Sequence, residues 1–156
     1  MPYLSNVDVF LAMAEESYAA MQEAMSAGRT PKPDGSGYII TYDATRSAFK
    51  HACIVIAFSA MFFEALTYLV SLQRFGKPAA TKIDRMLYEE RLAALGVTDP
   101  ELLTMAKEFR GIRKELVHEK AVELGEVVDP APRYAQHMAD EAMRFVAALK
   151  VQFVSA

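Results

Sequence analysis

The chain has 156 residues, 53% hydrophobic and 24% charged, which is typical of one globular domain (1–156) and argues against intrinsic disorder. Cys53 is the sole cysteine of the sequence, which excludes an intramolecular disulfide and a cysteine-based zinc site. The formal net charge of −3 argues against nucleic-acid binding over the whole surface, although residues 44–120, with 12 basic and 9 acidic side chains, permit a local anion site.

The amino-terminal residues contain no basic run followed by an apolar core, so we expect no secretory signal. The single cysteine fits a reducing compartment, and we expect a cytoplasmic protein. The first helix is predicted over 5–27. It begins at a capping box formed by Ser5 and Asp8, continues with apolar residues at the 3.6-residue period, and ends at Gly28.

The next segment is rich in turn-forming residues. Glycine and proline alternate through 28–37, which predicts a loop. Residues 38–42 are strand-like in composition, and we expect them to pack against the bundle as an extended segment without a partner strand.

The longest helix is predicted over 44–74, with Asp43 as its N-cap. From residue 52 to residue 72 its only charged side chain is Glu64, so the helix is either the buried centre of a bundle or a membrane span. A carboxylate near the middle of a span is costly in lipid. We therefore predict a buried helix and no membrane insertion.

Three amphipathic helices complete the chain. They are predicted over 79–95, over 99–120, where Asp99 and Pro100 form a typical helix start, and over 133–153. No repeat, linker or low-complexity tract divides the sequence. The predicted fold class is therefore all-α, a single bundle of four or five antiparallel helices.

One motif that could carry chemistry runs from Glu115 to His118. Glu-x-x-His on a helix places a carboxylate and an imidazole one turn apart, as di-iron bundles require. Such a site also needs a second copy of the motif and two further glutamates, and neither His51 nor His137 has a glutamate three residues before it. We therefore predict no metal and no other cofactor.

A second motif overlaps the first and spans residues 109–118, FRGIRKELVH. Its Arg113, polar Lys114 and His118 lie late in a predicted bundle helix and resemble the signature of the HEPN family of small helical-bundle domains. The long apolar second helix with its internal Glu64 is also similar. Lysine stands here where the family often has asparagine or aspartate, and the resemblance covers the pattern of residues 44–120.

The resemblance implies a HEPN-like bundle that acts as a metal-independent endoribonuclease in a toxin–antitoxin or antiviral setting. It implies that His118 is the base, Arg113 the phosphate-binding residue, Lys114 an auxiliary cation and Glu64 the group that orients one of them. It further implies an RNA substrate, a homodimer that pairs two motifs, and an antitoxin or a nucleotidyltransferase as protein partner.

Helical geometry adds a constraint. On a regular helix Arg113 lies about 40° from Phe109, at the edge of the buried stripe, and His118 lies about 180° from it. The arginine and the histidine are then about 140° apart, so we expect a distorted helix near His118 or a second chain that completes the site. We also expect Glu64 to be substantially buried and within reach of Arg113 or His118, since a buried carboxylate needs a partner.

Plainer interpretations remain open. Arg113 could form a structural ion pair with Glu64, Glu108 or Glu115, and His118 could be an ordinary surface histidine. The chain would then be a non-catalytic helical dimer that serves as an interaction or regulatory module, or a bundle that binds a nucleotide or another small molecule.

Overall fold

The computed structural model describes residues 3–117, 125, 127 and 133–154. The helices within these residues are α1 (Val7–Ala27), α2 (Ser47–Phe75), α3 (Lys77–Ile83), α4 (Tyr88–Ala94), α5 (Pro100–Val117) and α6 (Ala135–Phe153). Strands β1 (Arg29–Pro31) and β2 (Tyr38–Ile40) form an antiparallel hairpin between α1 and α2. The prediction of an all-α bundle is confirmed.

The four long helices α1, α2, α5 and α6 alternate in direction along the bundle. Glu15, in the first half of α1, accepts a hydrogen bond from Lys150 near the end of α6 (2.8 Å). Glu115 near the end of α5 accepts one from Arg133, just before α6 (2.8 Å). The ends of α1 and α5 therefore lie at the same end of the bundle as the starts of α2 and α6.

Helix α2 forms the centre of the bundle and contacts α1, α3, α5 and α6. It has the length and the mean hydropathy (2.0) of a membrane-crossing helix, and 44% of its most apolar window is buried in the bundle. Contacts with four other helices are those of a core helix. The remaining apolar surface includes Ala57 and Met61, which are exposed.

Aromatic rings from four helices meet in the core. The ring of Phe63 (α2) lies 4.3 Å from that of Tyr88 (α4) and 5.5 Å from that of Phe145 (α6). Phe109 (α5) is 5.2 Å from Phe145 and stacks on Tyr88 at 6.1 Å. All four side chains are buried. This cluster fixes the short helix α4 against the long ones.

The prediction of one helix over 79–95 is wrong, since the chain turns between α3 and α4. Glu90 accepts the backbone N–H three residues before it (3.0 Å) and thereby caps the start of α4. The buried Arg91 donates to the backbone carbonyls of Asp84 and Met86. These side chains satisfy polar groups that a continuous helix would pair internally, so two short helices replace the long one.

The prediction that 38–42 lacks a partner strand is also wrong. Strand β2 pairs with β1, which lies within the segment predicted as a loop, 28–37. Gly35 and Gly37 adopt positive φ angles of 71° and 135°, which allow the chain to reverse between the strands. The hairpin is fully exposed along both strands.

Helix α2 begins at Ser47 rather than at residue 44. The Asp43 carboxylate accepts hydrogen bonds from Thr45 and from the backbone N–H of Ser47 (2.9 Å), so it caps the helix from a distance. Arg46, between them, has the left-handed φ of 53° and cannot belong to the helix. The predicted end of α5 at residue 120 lies outside the described residues.

Candidate functional site

Arg113 and Glu64 meet across the contact of α5 with α2. Nη2 of Arg113 lies 3.4 Å from Oε1 of Glu64. The predicted proximity is therefore confirmed, and of the three carboxylates expected as partners it is Glu64 that the arginine meets. Arg113 lies at the edge of the buried stripe of α5, as the helical period requires, with Phe109 and Ile112 buried beside it.

The expectation that Glu64 is substantially buried is wrong, because 37% of its side chain and 47% of that of Arg113 are exposed. Glu64 lies on the outer side of α2, where Met61, one turn before it, and Ala57, two turns before it, are exposed as well. The ion pair therefore lies at the rim of the bundle, where water reaches both groups.

Tyr88 holds Glu64 from the core side. Its hydroxyl donates to Oε1 of Glu64 over 2.7 Å, so that the same oxygen faces both the phenol and Arg113. Burial, and then the Glu64 carboxylate, raise the pKa of the Tyr88 hydroxyl above its ordinary value. The phenol therefore remains a neutral donor and fixes the carboxylate in front of the arginine.

A groove between α2 and α5 adjoins the ion pair. It has a volume of about 210 Å³ and includes in its lining Ala57, Ala60, Met61, Glu64, Arg113 and Val117. Two apolar side chains of this lining, Met61 and Val117, are 40% and 64% exposed. The α2–α5 groove therefore combines an apolar surface with one guanidinium, and it reaches the residue that precedes His118 in the sequence.

The neighbouring charges of α5 have other roles. Arg110 forms a bidentate ion pair with Glu89 of α4 (2.9 and 3.2 Å). This pair raises the pKa of the Arg110 guanidinium and lowers the pKa of the Glu89 carboxyl. Glu115 pairs with Arg133. Lys114 is exposed, and no described contact places it in the groove. Of the predicted site residues, Arg113 and Glu64 are brought together.

His118 lies outside the described residues, so its role and the predicted distortion of the helix near it stay predictions. The prediction that the Glu115–His118 motif holds no metal also stays a prediction, because His118 belongs to it. Within residues 3–117, 125, 127 and 133–154, no three His, Cys, Asp or Glu side chains are grouped closely enough to hold a metal ion.

Sequence reasoning missed Tyr88. Its bond to Glu64 spans 24 residues and exists only because the chain turns before α4. A continuous helix over this segment would place Tyr88 differently, so the sequence pattern offered no signal for this contact.

No protein-family model, curated protein or solved structure matches this chain.

Proposed function

We propose that the chain is a HEPN-like, metal-independent endoribonuclease whose phosphate-binding residue is Arg113 and whose general base is His118. The observation that carries the proposal is the half-exposed guanidinium of Arg113, held by Glu64 at the mouth of the α2–α5 groove. An arginine that is oriented by a carboxylate and open to solvent suits the recognition of a phosphate.

The ion pair leaves Arg113 able to bind a second anion. A guanidinium carries five N–H donors, and the contact with Glu64 uses one nitrogen at 3.4 Å. Strong charge-assisted hydrogen bonds are shorter, about 2.7–2.9 Å. An RNA phosphate can therefore take up the remaining donors while Glu64 keeps the side chain in place.

The chemical step needs one base and one cation. Neutral His118 accepts the proton of a ribose 2′-hydroxyl, the 2′-oxygen attacks the adjacent phosphorus, and the bond from phosphorus to the 5′-oxygen breaks. The departing oxygen takes a proton from the imidazolium, and a 2′,3′-cyclic phosphate is formed. Arg113 stabilises the charge on the phosphoryl oxygens in the transition state. General-base catalysis contributes about 10²–10⁴-fold, so we expect a slow enzyme.

We propose further that two copies associate through the α2–α5 groove and so bring two Arg113–His118 motifs together. The exposed apolar side chains of Ala57, Met61 and Val117 support an interface at this place. A two-fold axis there would place the two arginines in one cleft. The arginine of one chain could then act with the histidine of the other, although the two residues lie far apart around a single helix.

The test is cleavage of a structured RNA by the purified protein in excess EDTA. We expect cleavage by the wild-type chain, a loss of about 10²-fold or more with Arg113→Ala, and a loss of about 10²–10⁴-fold with His118→Ala. Arg110→Ala is the matched control, because Arg110 lies one turn earlier on α5 and pairs with Glu89 instead. Equal losses in all three variants, or no cleavage by the wild type, would contradict the proposal.

A non-catalytic dimer is the second candidate, favoured by the same exposed apolar side chains of the groove. It predicts a dimer by sedimentation at micromolar concentration that Met61→Glu converts to a monomer, with no RNA cleavage under any condition. Val9→Glu, at an exposed apolar position of α1, is the control that should leave the dimer intact.

A further inference from the structure

A second cavity lies beside the hairpin, and none of its lining residues belongs to the α2–α5 groove or to the Arg113–Glu64 pair. It has a volume of about 610 Å³, within the range of roughly 300–1,000 Å³ typical of small-molecule pockets. Its walls include Met25 of α1, Arg29 and Ile40 of the hairpin, Ala48 of α2, and His137 and Asp140 of α6. We call it the hairpin pocket.

The acidic groups of the hairpin pocket already have partners. Asp43, which also lines it, accepts hydrogen bonds from Thr45 and Ser47, and these lower the pKa of its carboxyl. Oδ1 of Asp140 accepts the hydroxyl of Tyr18 at 2.8 Å. Both carboxylates are thus engaged in holding the fold.

Arg29 is the basic residue of the pocket lining, and it lacks such partners among the described residues. Arg29 forms no ion pair with any residue that the structure describes, and it lies on the exposed hairpin with Ile40 as its cross-strand partner. The pocket therefore joins an apolar wall, from Met25, Ile40 and Ala48, to one cation whose donors are available. The His137 ring, which also lines the pocket, lies 3.4 Å from a carboxylate oxygen of Glu141.

We propose that the hairpin pocket binds a small amphipathic acid, an aromatic or aliphatic body with one anionic head group, and that Arg29 binds the head group. The apolar body covers Met25 and Ala48, and the head group faces the hairpin. This proposal stands on the pocket alone and is independent of ribonuclease activity, because it uses neither Arg113 nor His118.

The probe is anilinonaphthalene sulfonate, an aromatic monoanion whose fluorescence rises in apolar surroundings. We expect saturable binding of one probe per chain to the folded protein and about 10- to 100-fold weaker binding to Arg29→Gln, as is typical for the loss of a hydrogen bond between charged groups. Lys32→Gln is the matched control, since it removes the same charge from the same hairpin outside the pocket lining. Equal affinities of wild type and Arg29→Gln would overturn the proposal.

Two further measurements separate the pocket from other apolar surface. Ala48→Phe and Ala24→Phe place a ring in the cavity from two different helices, and each should weaken probe binding while circular dichroism shows an unchanged helical content. Decanoate should displace the probe, whereas decyltrimethylammonium, with the same chain and the opposite charge, should not. Unchanged probe binding in both filled variants, or equal displacement by the cation, would overturn the proposal.

Discussion

Tyr88 and Glu64 are joined by a hydrogen bond of 2.7 Å that connects the aromatic core to the charged rim of the α2–α5 groove. The phenol is buried, the carboxylate is half-buried, and the guanidinium of Arg113 beyond it is exposed. The position of the exposed cation therefore depends on a side chain packed between Phe63 and Phe109.

Removal of the Tyr88 hydroxyl should destabilise the fold. In Tyr88→Phe the ring packing is kept and one hydrogen bond to a carboxylate is lost, so we expect the free energy of unfolding to fall by about 1–2 kcal/mol. Urea denaturation measures the change. Tyr134→Phe, at a position that is 83% exposed, is the control and should change stability by less than about 0.5 kcal/mol. Equal stabilities of wild type and Tyr88→Phe would contradict the prediction.

The same hydroxyl predicts a dependence of stability on alkaline pH. Because burial and Glu64 raise the pKa of Tyr88 above its ordinary value of 10.0, the unfolded chain loses this proton first as the pH rises. The contribution is fully present below pH 10 and declines above it. Between pH 9 and pH 11.5 we expect the free energy of unfolding of the wild type to fall more steeply than that of Tyr88→Phe. If the free energies of unfolding of the two proteins fell equally with pH, the pKa of Tyr88 would not differ between the folded and the unfolded chain.

The Glu64–Arg113 pair should contribute little to stability. Both groups are more than one-third exposed, and ion pairs of this kind are worth about 0.2–1 kcal/mol. A double-mutant cycle with Glu64→Ala, Arg113→Ala and the double variant should give a coupling energy in that range. The Arg113→Ala variant of the same cycle also shows whether that protein stays folded, which the cleavage assay requires. A coupling above about 2 kcal/mol would assign the pair to the core of the fold instead.

Arg91 should tolerate no replacement by lysine. It is buried, it donates to two backbone carbonyls, and it pairs with Asp84 at 3.0 Å. Lysine cannot reproduce the planar fork, so Arg91→Lys leaves a buried carbonyl unpaired and should lower the free energy of unfolding by about 1–3 kcal/mol. Thermal unfolding measures the loss. Arg85→Lys, at an exposed position next to the same turn, should leave the midpoint unchanged.

The long helices could be predicted because their apolar residues repeat at the helical period and their ends carry ordinary signals. Asp99 accepts the N–H of Glu101 (3.0 Å) at the start of α5, as the sequence indicated. The turn before α4 could not be predicted, because it depends on Arg91, whose partners are carbonyls five and seven residues earlier. Helical propensity does not depend on such contacts, so the sequence predicts one continuous helix where the structure has two short ones.

The candidate site could be predicted in part. The lone carboxylate of α2 and the arginine at the edge of a buried stripe indicated a pair, and Glu64 and Arg113 do meet. The predicted burial of Glu64 was too high, because 37% of its side chain is exposed. An apolar sequence predicts that a helix is buried, but it does not predict which side of the helix faces solvent. Tyr88 reaches Glu64 from the core side and belongs to the short helix α4. No local pattern in the sequence predicts how α4 packs against α2.

The alternation of the four long helices also has a consequence for the order of folding. Helices α1 and α2 share a more extensive contact than any other pair of described helices, and only the hairpin separates them along the chain. Helix α6, by contrast, reaches α1 through contacts such as Tyr18–Asp140, which are 122 residues apart in sequence. Closure of so long a loop costs more entropy, so the α1–hairpin–α2 unit should form first and α6 should dock last. In pulse-labelled hydrogen exchange during refolding, amides of α1 and α2 should become protected before those of α6.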